Sequence, residues 1–211
     1  TVSNGRLDLG IGSGYQKFEF DRFGVDLEHS HALFAEFYDV LHAGMQQRIF
    51  SYSGEHLKMP PTAIAVRTVQ KPMPPIWVTS GHGETLGRAI RDNHNLFVTA
   101  LLNGLDAIKA LRERLEGIAE TEGRSIDDTH FGFLRCAYAS DNDSEIQSYL
   151  DNARFQRRLS ESLKFRRAQS DDGYLIKEEA GPNDMSLETM RSNLPVGSVN
   201  QVIDRMLEEI S

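Results

Sequence analysis

The sequence predicts an α/β protein built on a parallel β-sheet. Two observations support this class. Short apolar segments of strand length alternate with longer segments of helical apolar spacing along most of the 211 residues. In the segment 75–80, Ile, Trp and Val follow one another, as expected of a strand that is covered on both faces. The pattern contains four strands with their helices, so a small open sheet and a part of an eight-stranded barrel both fit it.

Each element follows from local patterns in chain order. The first strand shows alternating Leu7, Leu9 and Ile11, and the first helix is expected to end at Gly44. The fourth helix is expected to begin with Asp143 as its N-cap. Predicted strands lie at 5–12, 75–80, 96–100 and 131–140, and predicted helices at 27–44, 84–93, 105–122, 143–166 and 198–210.

Three segments lack a regular pattern. Residues 45–74 hold several prolines and few helix signals, so we predict an excursion with one hairpin. Residues 15–24, which are rich in aromatic side chains, are expected to form a loop. Residues 168–186 are polar with few apolar anchors, and this composition predicts a mobile loop.

Composition and charge exclude several classes of protein. The chain has 23 Lys and Arg against 31 Asp and Glu, a net charge of −8 that argues against a nucleic-acid backbone binder. The single cysteine, Cys136, excludes an internal disulfide and a cysteine zinc cluster, and it is expected to be a small core residue. No apolar run approaches the ~18 residues that span a bilayer, and no signal pattern starts the chain. We therefore expect a soluble, cytoplasmic protein.

A glycine-rich segment follows the first strand. Gly10, Gly12 and Gly14 alternate with other residues, whereas a dinucleotide fingerprint needs G-x-G-x-x-G opening a helix. The dinucleotide interpretation therefore fails. Two alternatives remain open: close approach of the backbone to a ligand, and a turn without function.

A second polar turn, 79–85, joins the strand at 75–80 to the next helix. Unpaired N–H groups and the helix dipole favour an anion there, and the Ser80 and Thr85 hydroxyls can donate to phosphate oxygens. Gly81 and Gly83 allow tight wrapping of the backbone. The alternative is that Ser80 or Thr85 only caps the helix.

Other candidates carry weaker signals. His29 and His31 lie ~200° apart around a helix and cannot hold one metal ion together. Trp77 is expected to pack inside its strand, and no G-x-S-x-G elbow supports a hydrolase. The remaining histidines at 42, 56, 94 and 130 are expected to be isolated structural or surface residues. The sequence therefore predicts no metal site.

Three segments resemble the bacterial luciferase-like flavin monooxygenase family. They are 4–26 (NGRLDLGIGSGYQKFEFDRFGVD), 74–80 (PPIWVTS) and 194–202 (LPVGSVNQV), and they occur in the family's order. The resemblance implies a TIM (β/α)₈ barrel of which this chain covers about strands four to seven, as one incomplete domain over 1–211. It also implies that 168–190 is the mobile lid of the active site.

The resemblance also implies which residues hold the cofactor. The strand-four loop with Gly12, Ser13 and Tyr15 matches the loop that touches flavin and phosphate. The luciferases carry arginines at the positions of Ser13 and His31, where this sequence departs from them. At the second of these positions His31 is expected to contact the phosphate, either protonated or as a neutral donor. The phosphate turn comprises Thr79, Ser80, Gly81, His82, Gly83 and Thr85, and the substrate side comprises Ala100, Leu101 and Leu102.

The activity implied is that of a monooxygenase that uses reduced FMN from a separate reductase, with O₂ and a small, apolar organic substrate. The resemblance further implies a dimer, with no nucleic acid or membrane as partner. A deazaflavin-dependent oxidoreductase and a non-catalytic flavin-binding partner subunit are the alternatives. Catalytic residues are not assigned, because the family places its catalytic histidine on an earlier strand.

Overall fold

The computed structural model describes residues 3–165, 169–171 and 174–210. Helices and strands alternate through most of this chain. The strands are β1 (Leu9–Gly12), β2 (Ile49–Ser53), β3 (Lys58–Ala63), β4 (Ile76–Thr79), β5 (Asn95–Leu101), β6 (Phe131–Arg135), β7 (Tyr138–Ala139), β8 (Gln169–Asp171), β9 (Tyr174–Lys177) and β10 (Val196–Gly197). The helices are α1 (Lys17–Phe23), α2 (Ser30–Gln46), α3 (Gly83–Arg91), α4 (Leu105–Thr121), α5 (Asp143–Lys164), α6 (Leu187–Asn193) and α7 (Val199–Ile210).

The main sheet has four strands in the order β1-β4-β5-β6. β1 and β4 run parallel, with Gly10 opposite Trp77 and Gly12 opposite Thr79, and β4 and β5 are also parallel. This confirms the predicted α/β fold with a parallel sheet. Within the described residues the sheet does not close into a barrel, and the match of its strands to strands four to seven stays a prediction.

Only one face of β4 is buried. Ile76 and Val78 are 2% and 0% exposed, whereas Trp77 is partly exposed and Thr79 is exposed. The sequence predicted a strand covered on both faces, and that prediction is wrong. Helix α3 packs against the strand, with Leu86, Ala89 and Ile90 buried, and the opposite face lines a cleft.

The chain divides into two compact units, and the assignment of 1–211 to one incomplete domain stays a prediction. The first unit comprises the described residues of 1–14, 25–98 and 115–132. The second comprises those of 15–24, 99–114 and 133–211. The core of the second unit consists of Leu102, Ile146, Leu150, Met190 and Leu194.

Several element boundaries differ from the predicted ones. A short helix, α1, replaces the loop expected at 15–24, and it ends at Gly24 with φ +66°. Helix α2 continues past Gly44 to Gln46, and α5 is capped by Asn142, whose side chain accepts the Ser144 N–H, not by Asp143. The two boundary shifts arise because helix ends depend on cap geometry, which apolar spacing alone does not determine.

The excursion at 45–74 contains the predicted hairpin, formed by antiparallel β2 and β3. Glu36 of α2 holds its turn: the carboxylate accepts the backbone N–H groups of Glu55, His56 and Leu57 at 2.7–3.1 Å. The hairpin is thus attached to α2 by three backbone donors.

The segment 168–190 contains the antiparallel pair β8 and β9 and the first half of α6, with residues 168, 172 and 173 outside the described part. Two side chains of α5 hold it. The Ser162 hydroxyl exchanges hydrogen bonds with the backbone of Glu179, and Arg158 pairs with Asp184 at 2.5 Å. The predicted mobility of this segment stays a prediction.

Replacing Asp184 with asparagine is expected to expose 178–186 to proteases. The hydrogen bond and charge of Arg158 hold the pKa of Asp184 below its usual value, so the ion pair stabilises the fold above pH ~4. That stability is lost as the pH falls through the lowered pKa. Limited proteolysis at pH 7 should cleave the variant several-fold faster. Glu178→Gln, which removes only a 3.9 Å contact with Arg158, is the control and should behave as the parent protein. Equal cleavage of all three proteins would contradict the expectation.

Candidate functional site

A cleft of about 750 Å³ lies between α2 and α3 in the first unit. We call it the α2–α3 cleft. His31, His82 and Thr85, three residues of the predicted phosphate site, line it together. Its other lining residues are Ala32, Phe34, Ala35, Tyr38, Asp39, Glu84, Arg88, Arg91, Asp92 and Glu122.

Two imidazoles that line this cleft stack on each other. His31 lies in the first turn of α2 and His82 is the N-cap residue of α3. Their ring centroids are 4.6 Å apart with planes inclined by 22°, and both residues are exposed. The fold thus brings two imidazoles together beside the start of α3, although the residues are 51 positions apart.

The N-terminus of α3 offers backbone donors. The first intrahelical bond runs from the Leu86 N–H to the His82 carbonyl, so the amides of Gly83 to Thr85 have no acceptor within the helix. The His82 side chain does not cap them. Ser80 accepts the His82 N–H at 3.0 Å and so shapes the turn before the helix. These donors and the helix dipole favour an anion.

The two glycines of this turn provide space, not unusual backbone conformation. A Cβ atom on Gly81 would have no atom within 4 Å, and one on Gly83 would meet only Ile118 Cδ1 at 4.0 Å. Neither residue has a positive φ. Room for a ligand is thus the property that this turn offers.

The arginines of the α2–α3 cleft are already paired. Arg88 donates to Asp39 at 2.6 Å and to Asp92 at 3.4 Å, and Arg91 donates to Glu122 at 2.7 Å. An anion at this end of α3 would therefore rely on backbone N–H groups, the Thr85 hydroxyl and the imidazoles.

A second cleft of about 540 Å³ lies on the open face of the sheet, also in the first unit. We call it the β1–β4 cleft. Gly12 and Thr79 line it, as do Asp8, Gly10, Ile11, Trp77, Phe97 and Gly132. Its walls are mostly apolar, with the Trp77 indole donating to Asp8 at 3.0 Å. Thr79 continues through Ser80 and Gly81 to His82, so one short turn joins the two clefts.

Sequence reasoning missed Trp77, Phe97 and Gly132 as cleft residues. Trp77 was expected to pack inside a buried strand, but its side chain faces the cleft. Gly132 is needed there, because a Cβ atom would lie 2.5 Å from Phe97 and 3.2 Å from Trp77. The alternation of residues along β5 is the signal that could have identified this face, since Leu96, Val98 and Ala100 are buried and the residues between them are not.

The other predicted site residues lie as follows. The Ser13 hydroxyl contacts the carbonyl of Gly14 at 3.4 Å. Tyr15 belongs to the second unit, where it is 54% exposed and the Lys164 ammonium lies 5.9 Å from its ring centroid. Ala100 and Leu102 are buried, whereas Leu101 is 38% exposed with φ +34°. Of the three predicted substrate residues, Leu101 is thus the one with an accessible side chain.

A histidine pair lies at the other end of α3. The sequence predicted His42 and His94 to be isolated, but their Nε2 atoms are 2.6 Å apart. Burial, followed by the charge of His42, lowers the pKa of His94 to about 4, so this imidazole is neutral at pH 7. The two residues are 52 positions apart, and no local spacing could have revealed the contact.

Comparison with known proteins identifies relatives along the whole chain. The sequence profile of the family described as "Luciferase-like monooxygenase" matches residues 1–211. Protein y4vJ of Sinorhizobium fredii is 56% identical over 99% of this chain. The oxygenase component of the flavin-dependent trigonelline monooxygenase of Acinetobacter baylyi is 26% identical over 97% of it. The chain spans 60% and 58% of the lengths of these two relatives.

Solved structures share the fold at lower identity. An F420-dependent secondary alcohol dehydrogenase aligns with a TM-score of 0.70 and 13% identity, covering 98% of this chain and 61% of the other. The oxygenating constituent of 3,6-diketocamphane monooxygenase from Pseudomonas putida, solved in complex with FMN, aligns with a TM-score of 0.67 and 18% identity, again over 98% and 61%. Among the described residues, no helix is long and apolar enough to cross a membrane.

Proposed function

The chain belongs to the luciferase-like monooxygenase family, and from that premise we propose that it binds reduced FMN and takes part in oxygenating a small organic substrate with O₂. The observation that carries the proposal is the junction of the two clefts at the turn 79–82. One cleft offers an anion site and the other an apolar wall on the sheet. An FMN molecule has a phosphate at one end and a flat apolar ring system at the other, and this arrangement suits both.

The residues present fit the phosphate. The uncapped amides of Gly83 to Thr85, the space beside Gly81 and the stacked imidazoles of His31 and His82 form a donor-rich cradle. Glu84 is the opposing feature, because its carboxylate also lines the cleft. In our proposal the Thr85 hydroxyl and the backbone amides bind the phosphate, and Ser80 holds the turn in shape.

The residues of the β1–β4 cleft would position the ring system. Gly10 and Gly12 leave the sheet surface bare, so a planar group can lie directly against the backbone. Thr79 would lie nearest the ring, and Trp77 and Phe97 would exclude water from one side. When bound, reduced FMN supplies the electrons for O₂ chemistry, while the protein supplies orientation and a dry surface.

The remaining parts of the proposal concern the whole protein. We assign Ser13 and Tyr15 to the cofactor, Leu101 to the substrate and 168–190 to the role of a lid as parts of the same proposal. A separate reductase would supply the reduced flavin, which agrees with the name of the Acinetobacter relative as an oxygenase component. A small apolar substrate and a dimeric assembly also belong to this proposal.

Replacing Thr85 with alanine is expected to weaken FMN binding about 10- to 150-fold, because one hydrogen bond to a charged group is worth ~1.5–3 kcal/mol. Riboflavin lacks the phosphate, so its affinity should change little. Fluorescence titration of both flavins measures the two effects. Thr85→Ser, which keeps the hydroxyl, is the control and should retain most of the FMN affinity. Equal losses for FMN and riboflavin would show that Thr85 only supports the helix.

A deazaflavin coenzyme is the second candidate, and the fold shared with the F420-dependent dehydrogenase favours it. Such an enzyme transfers hydride without O₂. Turnover of an aldehyde and hydrocarbon panel with reduced FMN under air, compared with reduction of F420 under nitrogen, separates the two. Flavin binding without turnover in either assay would instead indicate a non-catalytic partner subunit.

A further inference from the structure

Three potential metal ligands converge at the C-terminal end of α3, away from the turn 79–85. His42 comes from α2, Asp92 follows α3, and His94 precedes β5. One ligand atom from each lies within 4.8 Å of the other two. We propose that His42, Asp92 and His94 bind a divalent transition metal ion of the Zn²⁺ type, with a fourth position open to water.

The contact between the two imidazoles supports a shared ion. Both Nε2 atoms point at each other across 2.6 Å, so at most one proton can lie between them when both rings are neutral. A metal ion between the rings would instead coordinate the lone pair of each Nε2 atom. Two Zn–N bonds of 2.0–2.1 Å in a tetrahedral site place the nitrogens about 3.3 Å apart. The rings would therefore separate by about 0.7 Å to admit the ion.

The surroundings hold the two imidazoles in place. His94 is only 9% exposed, and its backbone N–H donates to the Ala89 carbonyl at 2.9 Å. The Tyr38 ring packs against both histidines, with centroid distances of 5.1 Å and 5.7 Å. Tyr38 itself is 1% exposed, and its hydroxyl has no hydrogen-bond partner among the described residues. The residue that packs against both imidazoles thus carries a buried hydroxyl without a partner, as expected next to a place that holds an ion or its bound water.

Asp92 adds a negative charge to the proposed site and lies where a metal ion can enter it. Its side chain is 27% exposed and lines the α2–α3 cleft, through which an ion can enter. Arg88 contacts Asp92 at 3.4 Å but is held more closely by Asp39 at 2.6 Å, so turning the Asp92 carboxylate towards the histidines breaks only the longer contact. Two imidazoles and one carboxylate favour Zn²⁺, Co²⁺ or Ni²⁺ over Mg²⁺ or Ca²⁺.

Co²⁺ titration of tag-free, chelator-treated protein tests the proposal. We expect the visible absorption bands of four-coordinate Co²⁺, which one equivalent of Zn²⁺ should abolish by displacement. Loss of an outer-shell partner of a metal ligand already costs about 10- to 100-fold in affinity, so loss of a direct ligand through His42→Gln or Asp92→Asn should weaken binding at least about 10-fold. His130→Gln, which removes an exposed histidine outside the cluster, is the matched control and should bind as the parent protein does.

Thermal unfolding gives an independent measurement. Zn²⁺ should raise the midpoint of the parent protein and of His130→Gln, but not that of His42→Gln. Circular dichroism without metal establishes that each variant is folded before the comparison. Absence of the Co²⁺ bands in the parent protein would overturn the proposal, and so would equal binding by folded His42→Gln, Asp92→Asn and parent protein.

Discussion

Replacing Glu209 with alanine is expected to lower the free energy of unfolding by about 3–5 kcal/mol. Glu209 of α7 pairs with Arg135 of β6 at 2.6 Å, and both side chains are only 4% exposed. The substitution leaves the guanidinium buried without its counter-charge. Arg135 also donates to the carbonyls of Leu101 and Asn193, so a shift of this side chain would disturb two further elements of the second unit.

Urea denaturation of the two proteins measures this effect. Asp143→Ala is the matched control, because Asp143 pairs with Arg191 while its side chain is 77% exposed. An exposed pair contributes only about 0–1 kcal/mol. If Glu209→Ala lowers the free energy of unfolding no more than Asp143→Ala does, the buried pair does not stabilise the second unit as its geometry implies.

Alanine at Gly12 and alanine at Gly10 are expected to have different effects, although both glycines lie on β1 and line the same cleft. A Cβ atom on Gly12 would lie 2.8 Å from Thr79 Cγ2 and 3.1 Å from the Thr79 carbonyl oxygen. Because the carbonyl belongs to the neighbouring strand, β1 and β4 would have to separate. We expect Gly12→Ala to lower the free energy of unfolding by about 1–3 kcal/mol, as overpacking does at other sites.

Gly10→Ala is expected to leave the free energy of unfolding unchanged or slightly raised, because a Cβ atom there has no neighbour within 4 Å. Its methyl group would project into the β1–β4 cleft and, under our proposal, would weaken binding of FMN and riboflavin alike. Urea denaturation and flavin titration of both variants separate stability from binding. Equal stability of the two variants would contradict the close approach of Gly12 to Thr79.

Local patterns in the sequence were sufficient for the class of fold. Strand-length apolar segments alternating with amphipathic helices predicted the parallel sheet, because buried backbone must form hydrogen bonds and few arrangements achieve this. The order of Thr79, Gly81 and Gly83 between a strand and a helix also predicted the turn beside the α2–α3 cleft. These features depend on residues that are close along the chain.

The tertiary structure decided which distant residues meet. It stacks His31 on His82, brings His42 to His94 and buries Glu209 against Arg135, and each of these pairs is separated by 51 residues or more. It also leaves one face of β4 exposed, whereas the sequence predicted that both faces are buried. Hydrophobicity along a strand shows that a side chain is apolar, but only the packing of α3 against one face decides whether Trp77 lies in a core or lines a cleft.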